Sequence, residues 1–261
     1  MADPIHQFKI EKLVDLPDVV LPLVGRVDLA ITNSHIAMTI AFAAVVMFLT
    51  LVTARPRVVP TRLQTVGEEA FGLIDNLTES IIGHDGRKYF PFVFTIFVMI
   101  LGMNLLGMML SFTATSQLAI TATFALVTFG LVLIIGFAKN GWRFALLFWP
   151  TGAPLAMRPI VGFIEFFSFM LRPITLALRL FGNMLGGHVA LKVFAGFVVS
   201  LGALAAGGGL GLLGIPGAAL SMSMVVGLTA LEFLVAFLQA FVFAVLTCIY
   251  LNDVVNLGHG H

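Results

Sequence analysis

One mostly apolar stretch of this chain, Pro159 to Gly196, contains five ionisable side chains: Glu165, Arg172, Arg179, His188 and Lys192. If that stretch is a membrane helix, each ionisable group at bilayer depth costs about 2.5–3.5 kcal/mol or more, and arginine cannot escape by losing its proton. Arg179 stands 20 residues after Pro159 and 17 before Gly196, near the middle, where it cannot readily reach either surface. Such a fixed cation can do three things: pair with an acid on another helix of its own chain, hold a partner's carboxylate in its ionised form, or repel protons in an aqueous cavity.

Its neighbours form a stripe. Seven-residue spacing puts Arg172 within about 20° of Arg179 on a helix, and Glu165 within about 40°. Ser168 and Asn183 widen the stripe, while Gly182 and Gly186 leave room for another helix to approach. Arg172 either snorkels to headgroups or belongs to the stripe's chemistry. Glu165 either anchors at the interface or lines a water-filled entry. A second helix, about Ala218 to Leu251, carries Glu232, Gln239 and Tyr250 on nearly one face. Antiparallel packing of the two helices opposes Gln239 to Arg179 and Glu232 to His188, and both pairs fit one register to within two residues. His188 alone is either a satisfied buried histidine or a proton carrier; an acid opposite it favours a relay.

The elements that must hold these residues follow from composition. The chain has 261 residues, 59% hydrophobic and 10% charged, far from the roughly one-quarter charged residues of a soluble domain. A bilayer core of about 30 Å takes about 20 helical residues. Nineteen uncharged residues separate His35 from Arg55, and fifty separate Lys88 from Lys139, the latter divided at the polar turn SFTATSQ. With the two C-terminal helices this predicts an all-α integral membrane protein of about five spans, arranged as one domain. Residues 1–33 form an outer N-terminal segment, with spans at 34–54, 89–110 and 118–138. A connecting loop covers 55–88, and an interfacial element with both tryptophans covers 141–154. The long helices occupy 159–196 and 218–255, joined by a glycine-rich turn at 197–217 and followed by a tail at 256–261.

Five lysines and arginines in the 55–88 loop and three in 139–158, against three in the N-terminal tail, place the N-terminus outside and the C-terminus in the cytoplasm. At about 1.5 Å per residue, the 159–196 helix is roughly 57 Å long, nearly twice the hydrocarbon thickness. A steeply inclined hairpin beside a curved partner accommodates it. The net charge of +1 offers no nucleic-acid surface, the lone Cys248 no disulfide or metal pattern, and no P-loop occurs.

The segments RPITLALRLFGNMLGGHV (172–189) and LEFLVAFLQAFVFAVLTCIYL (231–251) resemble the membrane-embedded subunit a of F-type rotary ATP synthases, and the order of spans agrees over essentially the whole chain. In that family two offset aqueous half-channels lead protons to and from carboxylates on a rotating ring of c subunits, and an arginine separates the two paths. The resemblance implies that Arg179 is that arginine, with Gln239 its neighbour and Asn183 a nearby polar liner. His188 and Glu232 then serve the outer proton path, in the order associated with mitochondrial-type members. Glu165, Ser168 and Arg172 fall on the cytoplasmic side. GMNLLGMM lacks the proline often found after this motif. The resemblance also implies a non-catalytic subunit without cofactor or metal, set in the cell inner membrane among c-ring subunits, peripheral-stalk b subunits, the rest of the F1Fo complex and lipid. A secondary transporter would use Arg179 to bind an anion at the midplane, but such folds show inverted repeats. A scaffold accounts for the glycines but not for five ionisable residues in one span.

Overall fold

The computed structural model describes residues 12–15, 19–21, 25–27, 30–54, 57–83, 85–109, 114–149, 157–207 and 214–256. Among the described residues its body consists of six α-helices: α1 (Asn33–Thr53), α2 (Arg62–Ile82), α3 (Gly86–Met109), α4 (Leu118–Asn140), α5 (Arg158–Ala206) and α6 (Gly214–Val255). All but α2 are long and apolar enough to cross a membrane, which makes this a multi-pass membrane protein. The all-helical body expected from composition is present, and the last two helices are the longest, at 49 and 42 residues. Ahead of the helices, the described residues include four short strands: β1 (Lys12–Asp15), β2 (Val19–Leu21), β3 (Gly25–Val27) and β4 (Ala30–Thr32). Antiparallel pairing of β2 with β3 nests inside that of β1 with β4.

Helix α2 occupies most of 55–88, where the sequence predicts a connecting loop. Thr61 caps it, its hydroxyl oxygen accepting from the Gln64 backbone N–H at 3.4 Å. Gly83 ends it at φ 83°, a conformation that suits glycine, and donates its N–H to the Glu79 carbonyl. Its buried residues Gly67, Ile74, Thr78 and Ile82 recur at helical spacing. That signal was present in the sequence, but four acids and the absence of a 20-residue apolar run masked it. Two other boundaries differ from expectation: α5 runs on to Ala206, and α6 begins at Gly214, so the glycine-rich connection is shorter than 197–217. Glycine, alanine and leucine after Gly196 break no backbone hydrogen bond, and helix persists where water is scarce. Parts of the expected 111–117 turn, the 141–154 interfacial element and the tail lie outside the described residues.

The chain forms two compact units. The first gathers residues 1–44, 101–117 and 181–238. Here Leu201 of α5 faces Gly214 and Gly217 of α6, where an added Cβ would come within 2.6 Å of the Leu201 carbonyl oxygen at Gly214, so glycine permits the close approach. Ala41, Met103, Met184 and Ala236 are buried within it.

The second unit comprises residues 45–100, 118–180 and 239–261. Phe169 is buried and meets the rings of Phe129, Phe144 and Phe148 at centroid distances of 5.1, 6.2 and 5.5 Å. Phe144 and Phe148 belong to the 3-10 segment Gly141–Phe148, which follows α4 through Gly141 at φ 51°. The end of α6 is tied on two sides: Asn140 donates to the Val254 carbonyl at 2.6 Å, and Asn256 donates to the Ile82 carbonyl at 3.2 Å.

Candidate functional site

Helix α5 positions most of the expected residues because one uninterrupted helix carries them. Pro173 lies inside it and leaves one carbonyl without its helical donor, a loss that membrane helices tolerate. In the second unit, Glu165, Ser168 and Arg179 are exposed, and Arg172 is half-buried. Among the described residues no carboxylate stands at ion-pair distance from Arg179. Exposed Phe163, Ile164, Phe167, Leu171, Ile174 and Leu178 share this part of α5. A shallow open groove lies along it, lined by Phe163, Ile164, Phe167, Ser168, Leu171, Arg172 and Thr175.

Arg172 has a partner that sequence reasoning missed. Its Nη1 donates to Asp253 Oδ2 at 2.7 Å, and its guanidinium lies 5.1 Å from the Phe169 ring centre and 4.8 Å from that of Tyr250. Asp253 is one of only two acids on α6, and that scarcity was the available signal. Arg172 is thus clamped to the end of α6 rather than reaching free into headgroups. Gln239, in this same unit, is buried at 4% exposure.

In the first unit the expected opposition of histidine and acid is present: His188 Nδ1 stands 3.3 Å from Glu232 Oε1. Glu232 is buried at 5% exposure, and neither of its carboxylate oxygens has a hydrogen bond of good geometry. Gly187 makes room for the acid, since a Cβ there would meet Glu232 Oε1 at 2.8 Å. One helical turn along α6 from Glu232, the Ala236 carbonyl accepts a hydrogen bond from fully buried Asn104 of α3 at 3.2 Å, leaving Asn104 Oδ1 without one. Asn104, from the motif GMNLLGMM, joins this polar group only through the packing of α3 on α6. Asn183 is exposed in this unit. No cluster of three metal-ligating side chains occurs among the described residues.

Comparison with known proteins gives these residues a setting. The family model described as ATP synthase A chain matches residues 35–252. Among curated relatives, ATP synthase subunit a of Chelativorans sp. (strain BNC1) is 47% identical over 259 residues, covering 99% of each chain. The subunits a of Rhizobium etli (strain CIAT 652) and Rhodopseudomonas palustris (strain TIE-1) are each 48% identical, again over 99% of both chains. A match that spans all five apolar helices at nearly one residue in two admits one conclusion: the chain belongs to the ATP synthase A chain family.

Proposed function

We propose that this chain is the proton-translocating stator subunit of the membrane sector of an ATP synthase, with Arg179 as the cation that separates two aqueous half-channels. The observation that carries this reading is the state of Arg179: central in a long apolar helix, exposed, and at ion-pair distance from no carboxylate among the described residues. A charge so costly to insert needs a counter-ion, and a carboxylate on another chain supplies one. Beside Arg179 on α5, Leu171, Ile174 and Leu178 are exposed, which leaves this part of the helix open to partner or lipid. The partner is a ring of c subunits, with b subunits of the peripheral stalk and the rest of the F1Fo complex beyond it. The subunit sits in the cell inner membrane with its N-terminus periplasmic and its C-terminus cytoplasmic.

The mechanism is electrostatic. As a ring carboxylate approaches Arg179, the cation favours its ionised form and drives off the proton. That proton leaves on the cytoplasmic side past Glu165, Ser168 and the Arg172 position. Glu232, His188 and Asn183 bring a proton from the outer side to the next carboxylate, with Gln239 beside Arg179. Each charge crossing 100 mV supplies about 2.3 kcal/mol, so several protons are needed per nucleotide. The fixed cation also blocks direct leakage between the two paths. At about 1.5 Å per residue, α5 and α6 far exceed the bilayer core, which favours steep inclination along the ring. The chain itself is non-catalytic and holds no cofactor; phosphoryl chemistry occurs elsewhere in the complex.

The test is Arg179→Ala in the intact complex, in membrane vesicles. Assembly is expected to persist while proton-driven ATP synthesis is lost. Undiminished coupled synthesis overturns the assignment.

A further inference from the structure

Arg172 and Arg179 lie seven residues apart, close to one face of α5, about 10 Å apart along the helix axis. On the proposed function only one of them acts as the stator cation. The structure distinguishes them by their surroundings. Arg179 has no carboxylate at ion-pair distance among the described residues, whereas Arg172 has Asp253 at 2.7 Å and two aromatic faces about it. The pair is neither deep nor fully solvated, with side-chain exposures of 25% and 30%. At such partial burial, opposite charges in contact cancel much of each other's field, while an unpaired guanidinium keeps all of its own. Arg172 also borders the groove that contains Ser168, which the proposed function assigns to proton exchange with the cytoplasm.

We propose that Asp253 is a positioning and charge-cancelling residue: it ties the guanidinium of Arg172 to the end of α6, so that, among the described residues of this face, Arg179 remains the uncompensated cation. Without the carboxylate, Arg172 becomes a second free cation beside the cytoplasmic path. It then lowers the local proton concentration where ring carboxylates take up protons during ATP-driven pumping. During synthesis the same path only releases protons from carboxylates that Arg179 has already ionised. Loss of Asp253 therefore weakens pumping more than synthesis. Asn252 and Val254 flank Asp253 without supplying a replacement charge. This inference rests on the stator reading of Arg179.

The experiment compares Asp253→Asn, Asp253→Glu, Arg172→Gln/Asp253→Asn and Arg179→Ala in inverted membrane vesicles, with rates normalised to assembled complex. For Asp253→Asn we expect ATP-driven proton pumping to fall at least threefold, with a smaller loss of synthesis. The double variant should pump at least threefold faster than Asp253→Asn, and Asp253→Glu should stay within twofold of the unmodified complex. Wild-type pumping in Asp253→Asn overturns the proposal. So do equal losses in both directions, or a double variant no better than the single one, because a purely structural tie predicts these. If Asp253→Asn does not assemble, failure of the double variant to restore assembly also overturns it, whereas restored assembly and pumping supports it. Coupled synthesis in Arg179→Ala signals failure of the stator reading itself; its loss, with Asp253→Asn unaffected, signals failure of this inference alone.

Discussion

His188 Nδ1 stands 3.3 Å from Glu232 Oε1, two residues from helices that the chain joins only through the connection after Ala206. Both are largely buried, Glu232 the more so. Positioned proton carriers contribute about 10²–10⁴-fold to transfer rates. Glu232→Gln keeps the shape and removes the titrating oxygen, so proton uptake from the outer side should slow by about a hundredfold while the complex still assembles. Passive proton flux through the membrane sector, stripped of its soluble portion, measures this. An unchanged flux would sink the relay.

Gly187→Ala tests the same pair from the other side. The new methyl would sit 2.8 Å from Glu232 Oε1, and the flexible end of that side chain can swing away. Stability should change little, yet Glu232 leaves its place opposite His188. Outer-side proton uptake should drop several-fold with normal complex content in membranes; wild-type uptake would contradict the geometry.

Gly136→Ala should act on stability instead. Its Cβ would approach Val254 Cγ1 to 2.5 Å and Phe144 Cε2 to 2.7 Å, both packed rather than free to swing. Overpacking of this kind costs about 1–3 kcal/mol. The thermal midpoint of the detergent-solubilised complex should fall, and an unchanged midpoint would show that this packing relaxes freely.

A third kind of prediction concerns pH. Asp85, in the connection before α3, accepts from Lys139 Nζ at 3.0 Å and from Lys88 Nζ at 3.0 Å. These hydrogen bonds, Lys139 first, and the lysine charges hold its carboxyl below the usual 3.8. A group with a depressed folded value stabilises above its unfolded value and loses that contribution as pH falls through the folded one. The group is exposed, so the effect is small and salt-sensitive. The stability margin of the unmodified chain over Asp85→Asn should hold at neutral pH and shrink once pH drops below 3.8. Thermal midpoints across pH measure it, and a margin that grows in acid would refute the assignment.

The sequence by itself determined how many helices can cross a membrane, that Arg179 lies near the centre of one of them, and that His188 and Glu232 could face each other. These follow from hydropathy over long runs and from the fixed 3.6-residue period, both of which are local properties of the chain. Only the tertiary structure decided which charge is paired and which is not. Arg172 meets Asp253 across 81 residues, and Asn104 meets the Ala236 carbonyl across 132. Such contacts depend on how each helix is rotated and where it approaches its neighbour, and a helix's own period says nothing about either. The same limit hid α2, whose apolar face is too narrow for a span and becomes legible only once it is seen which residues it buries.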